Sequence, residues 1–495
     1  MKKYIIISVV SCISLSGAAL AQTASDALLF SRHYAGGTAR SAGMSGAFGA
    51  LGGDISVIST NPAGLAIYRG TEFSFTPALN IATTIAEYDD KFKDNDTRFI
   101  FNSLGYVFTR NMHNEKGLIS VSFGLAYNRL SDFNGAAYVK KRAASSSLLD
   151  EFALYANLYP NDPDPFYEGL AIDVNAVWEE NGEFINDYIL EGIYGQPLSR
   201  TMNYRGGIGE YGFSMGLNFN HNLYFGATIG IQELYYRERY DHRESPGFDL
   251  LDNFRFIQNY TVNGWGVNFK TGIIYRPVPM LRLGASVHTP SHLWMKEELQ
   301  TDMETIFNNP PLENDTRTRF VDGTFLEPPE KYQLTTPWRY SFSAAAVIGK
   351  IGMIGADVEY VDHKNTAILP RSDNDFENNE ISLLLKPVVN VKTGAEIRLG
   401  PINLRGGVAF YGNPFDKNQI TDETIRQTLK NTISYSAGIG FRNRDFYMDA
   451  AYTFMKQPRR IYDLYEFEAG GRTWYESAKL QTNYSKALVT FGFRF

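Results

Sequence analysis

The stretch Thr490-Phe491-Gly492-Phe493-Arg494-Phe495 decides the reading of this chain. Aromatics at 491, 493 and 495 alternate with Thr490, Gly492 and Arg494, so a strand here has one greasy face and one small or polar face. An outer-membrane β-barrel closes with such a strand, lipid on one side and lumen on the other. Phe491, Phe493 and Phe495 are then the expected signal to the barrel-assembly machinery. A soluble edge strand ending in Phe is the alternative, and the other end of the sequence argues against it. Lys2 and Lys3 precede an apolar run from Tyr4 to Leu20, and Ala19-Leu20-Ala21 supplies a small-x-small cleavage site. A secretory signal peptide over 1–21 is expected. Val9-Val10-Ser11-Cys12 also resembles a lipoprotein box, but it leaves only Tyr4 to Ser8 as a hydrophobic region, against the usual ~7–15 residues.

Cys12 is the only cysteine, so a mature chain has none. That removes disulfides, thiol nucleophiles and cysteine metal sites together. Two of the 47 basic residues leave with the signal peptide, so 45 basic residues face 54 acidic ones, a net charge of −9. An acidic exported chain is a poor match for nucleic acid. No later segment approaches ~18 consecutive apolar residues, which excludes a membrane-spanning helix.

Period-two alternation recurs along the chain instead. Ile119, Val121, Phe123, Leu125 and Tyr127 face away from Ser120, Ser122, Gly124, Ala126 and Asn128. Tyr211, Phe213, Met215, Leu217 and Phe219 likewise alternate with Gly212, Ser214, Gly216, Asn218 and Asn220. A β-sandwich shows the same period, but its strands average ~5–6 residues, whereas these run to ten or more, the length of a tilted spanning strand. Fourteen runs start near Thr71, Thr97, Gly117, Tyr204, Asn222, Asn253, Met280, Pro337, Ile351, Leu385, Ile402, Asn431, Asp445 and Ala478. Their connections alternate between short and long, as periplasmic turns and external loops do. The expected fold is all-β: a 14-stranded antiparallel transmembrane barrel over 71–495, with twelve or sixteen strands as alternatives because Pro77 and Asn80–Tyr88 blur the first run.

Two regions do not read as barrel. Residues 22–70 lack alternation and are rich in Gly, Ala and Ser. Residues 134–203 form a long external loop with helix signals: Ser147 as N-cap, Asp150 three residues on, then Leu148, Phe152, Tyr155 and Tyr159 at helical spacing. Phe184, Ile185, Tyr188 and Ile189 suggest a second helix. Leu148, Phe152, Tyr155 and Tyr159 are a candidate capture surface for greasy molecules; mutual packing of the helices is the plainer alternative.

At Gly46-Ala-Phe-Gly-Ala-Leu-Gly-Gly-Asp54, followed by Asn61-Pro62-Ala63-Gly64-Leu65, the chain resembles the FadL/TodX outer-membrane transporters for long-chain fatty acids and other hydrophobic compounds. Further echoes are Arg282-Leu-Gly-Ala-Ser286 with Thr289-Pro290, Gly355-Ala-Asp357-Val-Glu-Tyr360, and Leu404-Arg-Gly-Gly407 with Asn413-Pro414. The resemblance implies a helical hatch over 22–70 plugging a fourteen-stranded barrel, with Asn61, Pro62, Ala63 and Gly64 as hatch elements that move when ligand binds. It also implies a sideways release of ligand through a break in an early strand. Pro77, which lacks a ladder donor, is a candidate for that break or for an ordinary bulge.

Other chemistry is tempting and fits poorly. Gly212-Phe213-Ser214-Met215-Gly216 matches G-x-S-x-G, but a serine hydrolase needs a strand-to-helix elbow and Ser214 sits mid-strand. His288 and His292 are read on one strand face, ~13 Å apart and too far to share a metal. Either of them, or His33, leaves a single-histidine haem contact open. Asp162-Pro-Asp164 and Asp373–Glu380 read as solvated acidic loops rather than calcium sites. No catalytic residue, metal or cofactor is therefore expected, and the chain is not expected to be an enzyme. The resemblance implies a monomer in the outer membrane of a Gram-negative bacterium, passing long-chain fatty-acid-like molecules by ligand-gated diffusion. A haem or other nutrient receptor on the same fold and a general porin are the alternatives.

Overall fold

The computed structural model describes residues 24–34, 36–248, 250–308, 318–323, 330–420, 422–469 and 472–495. The expected signal peptide lies outside them. The alternating runs form fourteen strands: β1 Glu72–Glu87, β2 Lys91–Asn111, β3 Leu118–Asp132, β4 Leu198–Phe219, β5 Leu223–Glu244 and β6 Leu251–Val278. β7 is Leu281–His288 continued as His292–Phe307, and β8 is Glu330–Thr335 continued as Arg339–Ile348. β9 Gly352–Asp362, β10 Pro387–Leu399, β11 Ile402–Tyr411, β12 Thr432–Arg442, β13 Phe446–Lys456 and β14 Arg472–Arg494 complete the set. Each pairs antiparallel with the next. β14 returns to β1, with Phe73 opposite Phe493 and Phe75 opposite Phe491, so the sheet closes on itself.

The alternation has the expected meaning. Phe99, Phe123, Phe213, Ile229, Trp265 and Phe342 are exposed on the outer face, while Ser122, Ser214, Thr228 and Asn268 are buried inside. Turns at one end are short, as at 220–222 and 400–401, and most connections at the other are long. The outer connection between β1 and β2, residues 88–90, is the exception.

Local irregularities have identifiable causes. Pro77 has no N–H for the ladder, and the β1–β2 register slips by one residue there, leaving Asn102 as the extra residue. Pro77 thus marks a bulge. β7 and β8 are both interrupted at a Thr-Pro pair, Thr289-Pro290 and Thr336-Pro337. The two breaks are tied together, Ser291 N donating to Thr336 Oγ1 at 2.8 Å and Thr336 N to the Ser291 carbonyl at 3.0 Å. The β7 break flips the alternation, so His288 faces inward while His292 is exposed; the expectation that they share a face is corrected.

Two non-strand bodies occupy the lumen. Residues 36–70 lie toward the short-turn end, with α2 Ala39–Ala42 and two 3₁₀ turns, Ile55–Ser59 and Pro62–Ile67, while α1 Ala24–Ser31 stands further up the lumen. The β3–β4 connection covers the other end, with α3 Leu148–Leu158, α4 Glu168–Asp173 and α5 Asp187–Glu191. α3 begins with a full capping box, in which Ser147 and Asp150 each satisfy the other's backbone N–H. The helix expected from Phe184 onward is shorter: Phe184 and Ile185 sit in a hairpin strand, Glu183–Ile185, and only Asp187–Glu191 is helical, started by the Asn186 cap.

Candidate functional site

The hatch is built from short segments in which many small residues surround a few large buried ones, Met44, Phe48, Ile55, Ile58 and Leu65, and directed bonds fix it against the wall. Asn61 is fully buried and caps the turn Pro62–Ile67. Its Oδ1 accepts from Ala63 N at 3.2 Å, and its Nδ2 donates to the Gly49 carbonyl at 2.7 Å and the Ile273 carbonyl of β6 at 3.4 Å. Pro62 opens that turn, and Ala63 and Gly64 are buried within it. The wall makes room for it with glycine: a Cβ on Gly272 would lie 1.9 Å from Asn61 Oδ1, and one on Gly226 would lie 2.1 Å from the Pro62 carbonyl carbon. Further along the hatch, Asp357 of β9 accepts from Gly49 N at 2.9 Å.

Charge ties the hatch to the opposite wall. Arg40 of α2 pairs with Glu396 of β10 at 3.2 Å and donates to the Gly53 carbonyl at 3.1 Å. Glu396 also meets Arg405 of β11 at 2.7 Å, which meets Asp449 of β13 at 2.7 Å. Thr38 Oγ1 donates to Asp54, whose carboxylate accepts from Ser56 N at 3.1 Å to start the first 3₁₀ turn. The tie to the wall was not legible in the sequence, because Arg40 and Glu396 lie 356 residues apart.

α1 stands in the lumen above the hatch. Leu28 and Phe30 pack with Ile208, Leu234, Tyr236, Val262 and Leu293 of the wall. The Phe30 ring meets Phe133 at 6.0 Å and Tyr236 at 5.9 Å, both edge to face. Beside it is a chamber of about 60 Å³ lined by Tyr34, Asn80, Arg129, Asp132, Tyr484 and Lys486 among others. Asn80 is 1 % exposed, and both its amide atoms lack a partner. Asp132 Oδ2 lies 3.7 Å from Arg129 Nε and 3.8 Å from Lys486 Nζ.

The chamber sits at the foot of a seam in the wall. β2 pairs with β3 only from Ser103, opposite Asn128, down to Asn111, opposite Ser120. The rest of β2, from Lys91 to Phe101, has ladder partners only in β1 among the described residues. After Asp132 the chain turns inward, and Gly135–Lys141 pairs with β4. A Cβ on Gly135 would reach Ala82, a buried residue of β1, at 4.0 Å. The chamber-lining residues Arg129, Leu130, Ser131 and Asp132 are the first four beyond the last β2–β3 pair. The gap in strand pairing thus lies here, away from Pro77.

The external cap is a core of large side chains. Leu148 and Phe152 are buried among Tyr167, Met202, Phe254, Phe256, Tyr465 and Phe467, while Tyr155 and Tyr159 are half-buried at its edge. Phe152 and Phe256 meet edge to face at 5.4 Å. Burial pushes the Asp150 carboxyl up to about 6, against hydrogen bonds from Asn186 and Ser147 N that favour its ionised form. Burial raises Glu151 as well, and neither of its oxygens has a partner.

The remaining candidates fall apart geometrically. Ser214 stays mid-strand, its Oγ donating to the Ala227 carbonyl at 3.0 Å. His288 Nε2 donates to the Thr60 carbonyl of the hatch at 2.6 Å. Among the described residues no group of three His, Cys, Asp or Glu could hold a metal. Phe491, Phe493 and Phe495 are outward-facing on the closing strand, and Phe495 N donates to the Thr71 carbonyl at 3.0 Å.

No protein-family model matches the chain, and no curated protein does. Among solved structures, a Pseudomonas aeruginosa FadL homologue matches with a TM-score of 0.55 at 13% identity, over 94% of this chain and 100% of that one. The P. putida toluene transporter TodX matches with a TM-score of 0.51 at 12% identity, over 93% and 99%. The chain therefore has the fold of the FadL-type transporters, a closed fourteen-stranded barrel with its N-terminal segment folded inside.

Proposed function

We propose that this protein passes hydrophobic small molecules across the outer membrane and releases them sideways into the bilayer through the seam between β2 and β3. The observation that carries the reading is the coincidence of that seam with an internal chamber beside α1. Molecules that leave through a wall enter hydrocarbon without crossing water, which is the favourable direction for an apolar solute. The two solved structures with the same fold are a FadL homologue and a toluene transporter, which supports a hydrophobic cargo.

The cargo is long-chain and fatty-acid-like, with its carboxylate drawn to Arg129 and Lys486 in the chamber and its chain toward the apolar neighbours of α1. Affinity then grows by roughly 0.8 kcal/mol per added CH₂ until the space is full. Asn61, Pro62, Ala63 and Gly64, which the resemblance implies move when ligand binds, form the gate together with α1: ligand displaces α1 first, and the Asn61 bonds hold the gate shut until then. Leu148 and Phe152 hold the cap together, leaving Tyr155 and Tyr159 as the capture edge. The protein acts as a monomer without catalysis or cofactor. An open porin does not fit a lumen occupied by two folded bodies.

The test is a titration of the detergent-purified protein with a fluorescent long-chain fatty acid, displaced by unlabelled acids of increasing length and by haemin. Displacement that strengthens with chain length is expected. Flat affinity across lengths, or displacement by haemin alone, would sink the proposal in favour of a specific nutrient receptor.

A further inference from the structure

The outer wall of β6, β7 and β8 carries a second feature, independent of the cargo. Down the outward face of β6 run Trp265, Val267, Phe269, Thr271, Ile273 and Tyr275, and above Trp265 come Asn263, Thr261 and Asn259. Ten residues at ~3.3 Å, tilted by about 40°, span roughly 25 Å, the height of the apolar band of an outer-membrane barrel. Trp265 therefore lies at the outer rim of that band. Trp294 is opposite it on β7, the two rings stacked with centroids 4.5 Å apart. A groove of about 640 Å³ opens over this pair, bounded by Gln333, Leu369 and Pro370.

Directly above the tryptophans, Lys296 and Lys331 stand opposite each other across the β7–β8 ladder, both lining the groove. Like charges directly opposite on one sheet face destabilise the pair. Lys296 has Glu298 at 2.6 Å; Lys331 makes no ion pair among the described residues. The next row outward repeats the arrangement on neighbouring strands, Arg205 facing Arg237. A third like pair, Arg243 and Arg255, shows how such a clash is relieved within the chain: Asp241 accepts from both, at 2.9 and 3.0 Å. The first two pairs have no such shared acid.

We propose that this groove holds the head group of a phosphorylated lipid of the outer leaflet, its phosphate between Lys296 and Lys331 and its acyl chains running down the wall past Trp265 and Trp294. Charge-assisted bonds to phosphate oxygens would supply what Asp241 supplies to Arg243 and Arg255. The stacked indoles sit where amphipathic rings prefer the head-group level. A free anion would use the lysines alone and leave the apolar floor bare; a lipid uses both.

The experiment is native mass spectrometry of the full-length mature protein, delipidated in detergent and titrated with lipid A as the probe. A one-to-one adduct is expected, weakened at least tenfold in the K296Q/K331Q double variant and weakened similarly when the lipid A has been chemically dephosphorylated. The R243Q variant, whose partner acid is internal, should bind as the parent does. Equal binding by K296Q/K331Q, equal binding of the dephosphorylated lipid, or no adduct with the parent would each overturn the proposal. All these side chains are on the outer surface, so heat-modifiable migration on a gel verifies that every variant still forms the barrel.

Discussion

The hatch and the cap are both non-strand bodies held inside one barrel, and they are built on opposite principles. The hatch splits its large buried side chains into two small clusters, around Ile58 and around Phe48, and is tied to the wall by directed bonds: Asn61 to Gly49 and Ile273, Arg40 to Glu396, Asp357 to Gly49 N. The cap is made of large side chains, Phe152, Tyr188, Phe254, Phe256 and Tyr465, packed as an ordinary hydrophobic core. Directed bonds fix a register and fail all at once when it is lost. A core of interdigitated side chains yields locally and repacks. The difference teaches which end can open gradually and which end holds one position.

The sharpest way to break the comparison is at the wall beneath the hatch. Gly272→Leu places a branched side chain where Asn61 now sits, and it should cost about 3–5 kcal/mol and unseat the hatch. The readout is a planar bilayer, where the parent should be silent and the variant should conduct; a silent variant would show that the hatch does not depend on this contact.

Phe152→Ala is the matching lesion in the cap. A buried Phe-to-Ala change should cost about 3–4 kcal/mol locally. Hydrogen exchange should quicken across 148–191 while the hatch segment 38–67 keeps its protection. Loss of protection in both would mean that the two bodies form one cooperative unit.

A smaller effect separates bonding from packing. Asn61→Ala removes the cap of the Pro62 turn and two donations and leaves a void only the size of the amide, and about 1–3 kcal/mol should be lost. Thermal unfolding of the purified protein should shift accordingly. An unchanged midpoint would move the anchoring role to Arg40 and Glu396.

The mildest distinction is pH. Because burial raises Asp150 to about 6 in the folded cap, the folded state binds its proton more tightly than the unfolded chain does. Cap stability should therefore rise as pH falls from above 6 toward 4, by at most about 2–3 kcal/mol, and Glu151 acts in the same direction. Exchange across 148–191 should be slower at pH 5 than at pH 7.5 once corrected for its intrinsic pH dependence. Asp150→Asn should flatten that difference.

The barrel was written plainly in the sequence, since each strand meets hydrocarbon on one face and lumen on the other, and that contrast is local. The fourteen starts found by alternation correspond to the fourteen strands. What alternation does not carry is partnership. Nothing between Phe99 and Asn134 says that β3 abandons β2 after Asn128, because both strands keep their period up to that point. Pro77 drew attention for a sound reason and marks only a bulge, whose extra residue, Asn102, donates to the Gly37 carbonyl of the hatch. The flip between His288 and His292 did have a signal, Pro290 between them. The hatch motif was visible at Asn61-Pro62-Ala63-Gly64, but its wall partners Gly226 and Gly272 looked like any other small inward-facing residues.

A closed barrel has no free strand edge, and this one keeps a short one along upper β2. An unbonded row of N–H and C=O groups invites a strand from another molecule. The sequence at that edge is Lys91, Lys93, Asp94, Asp96 and Arg98, a run of mixed charge at the very place where pairing is missing. Arg98 meets Asp96 at 2.9 Å and Lys91 meets Glu87 at 3.4 Å, so the charges are balanced at home and would each need stripping of water before a foreign strand could dock. An unpaired edge would otherwise be an adhesive surface, and these five side chains keep it from sticking barrels together.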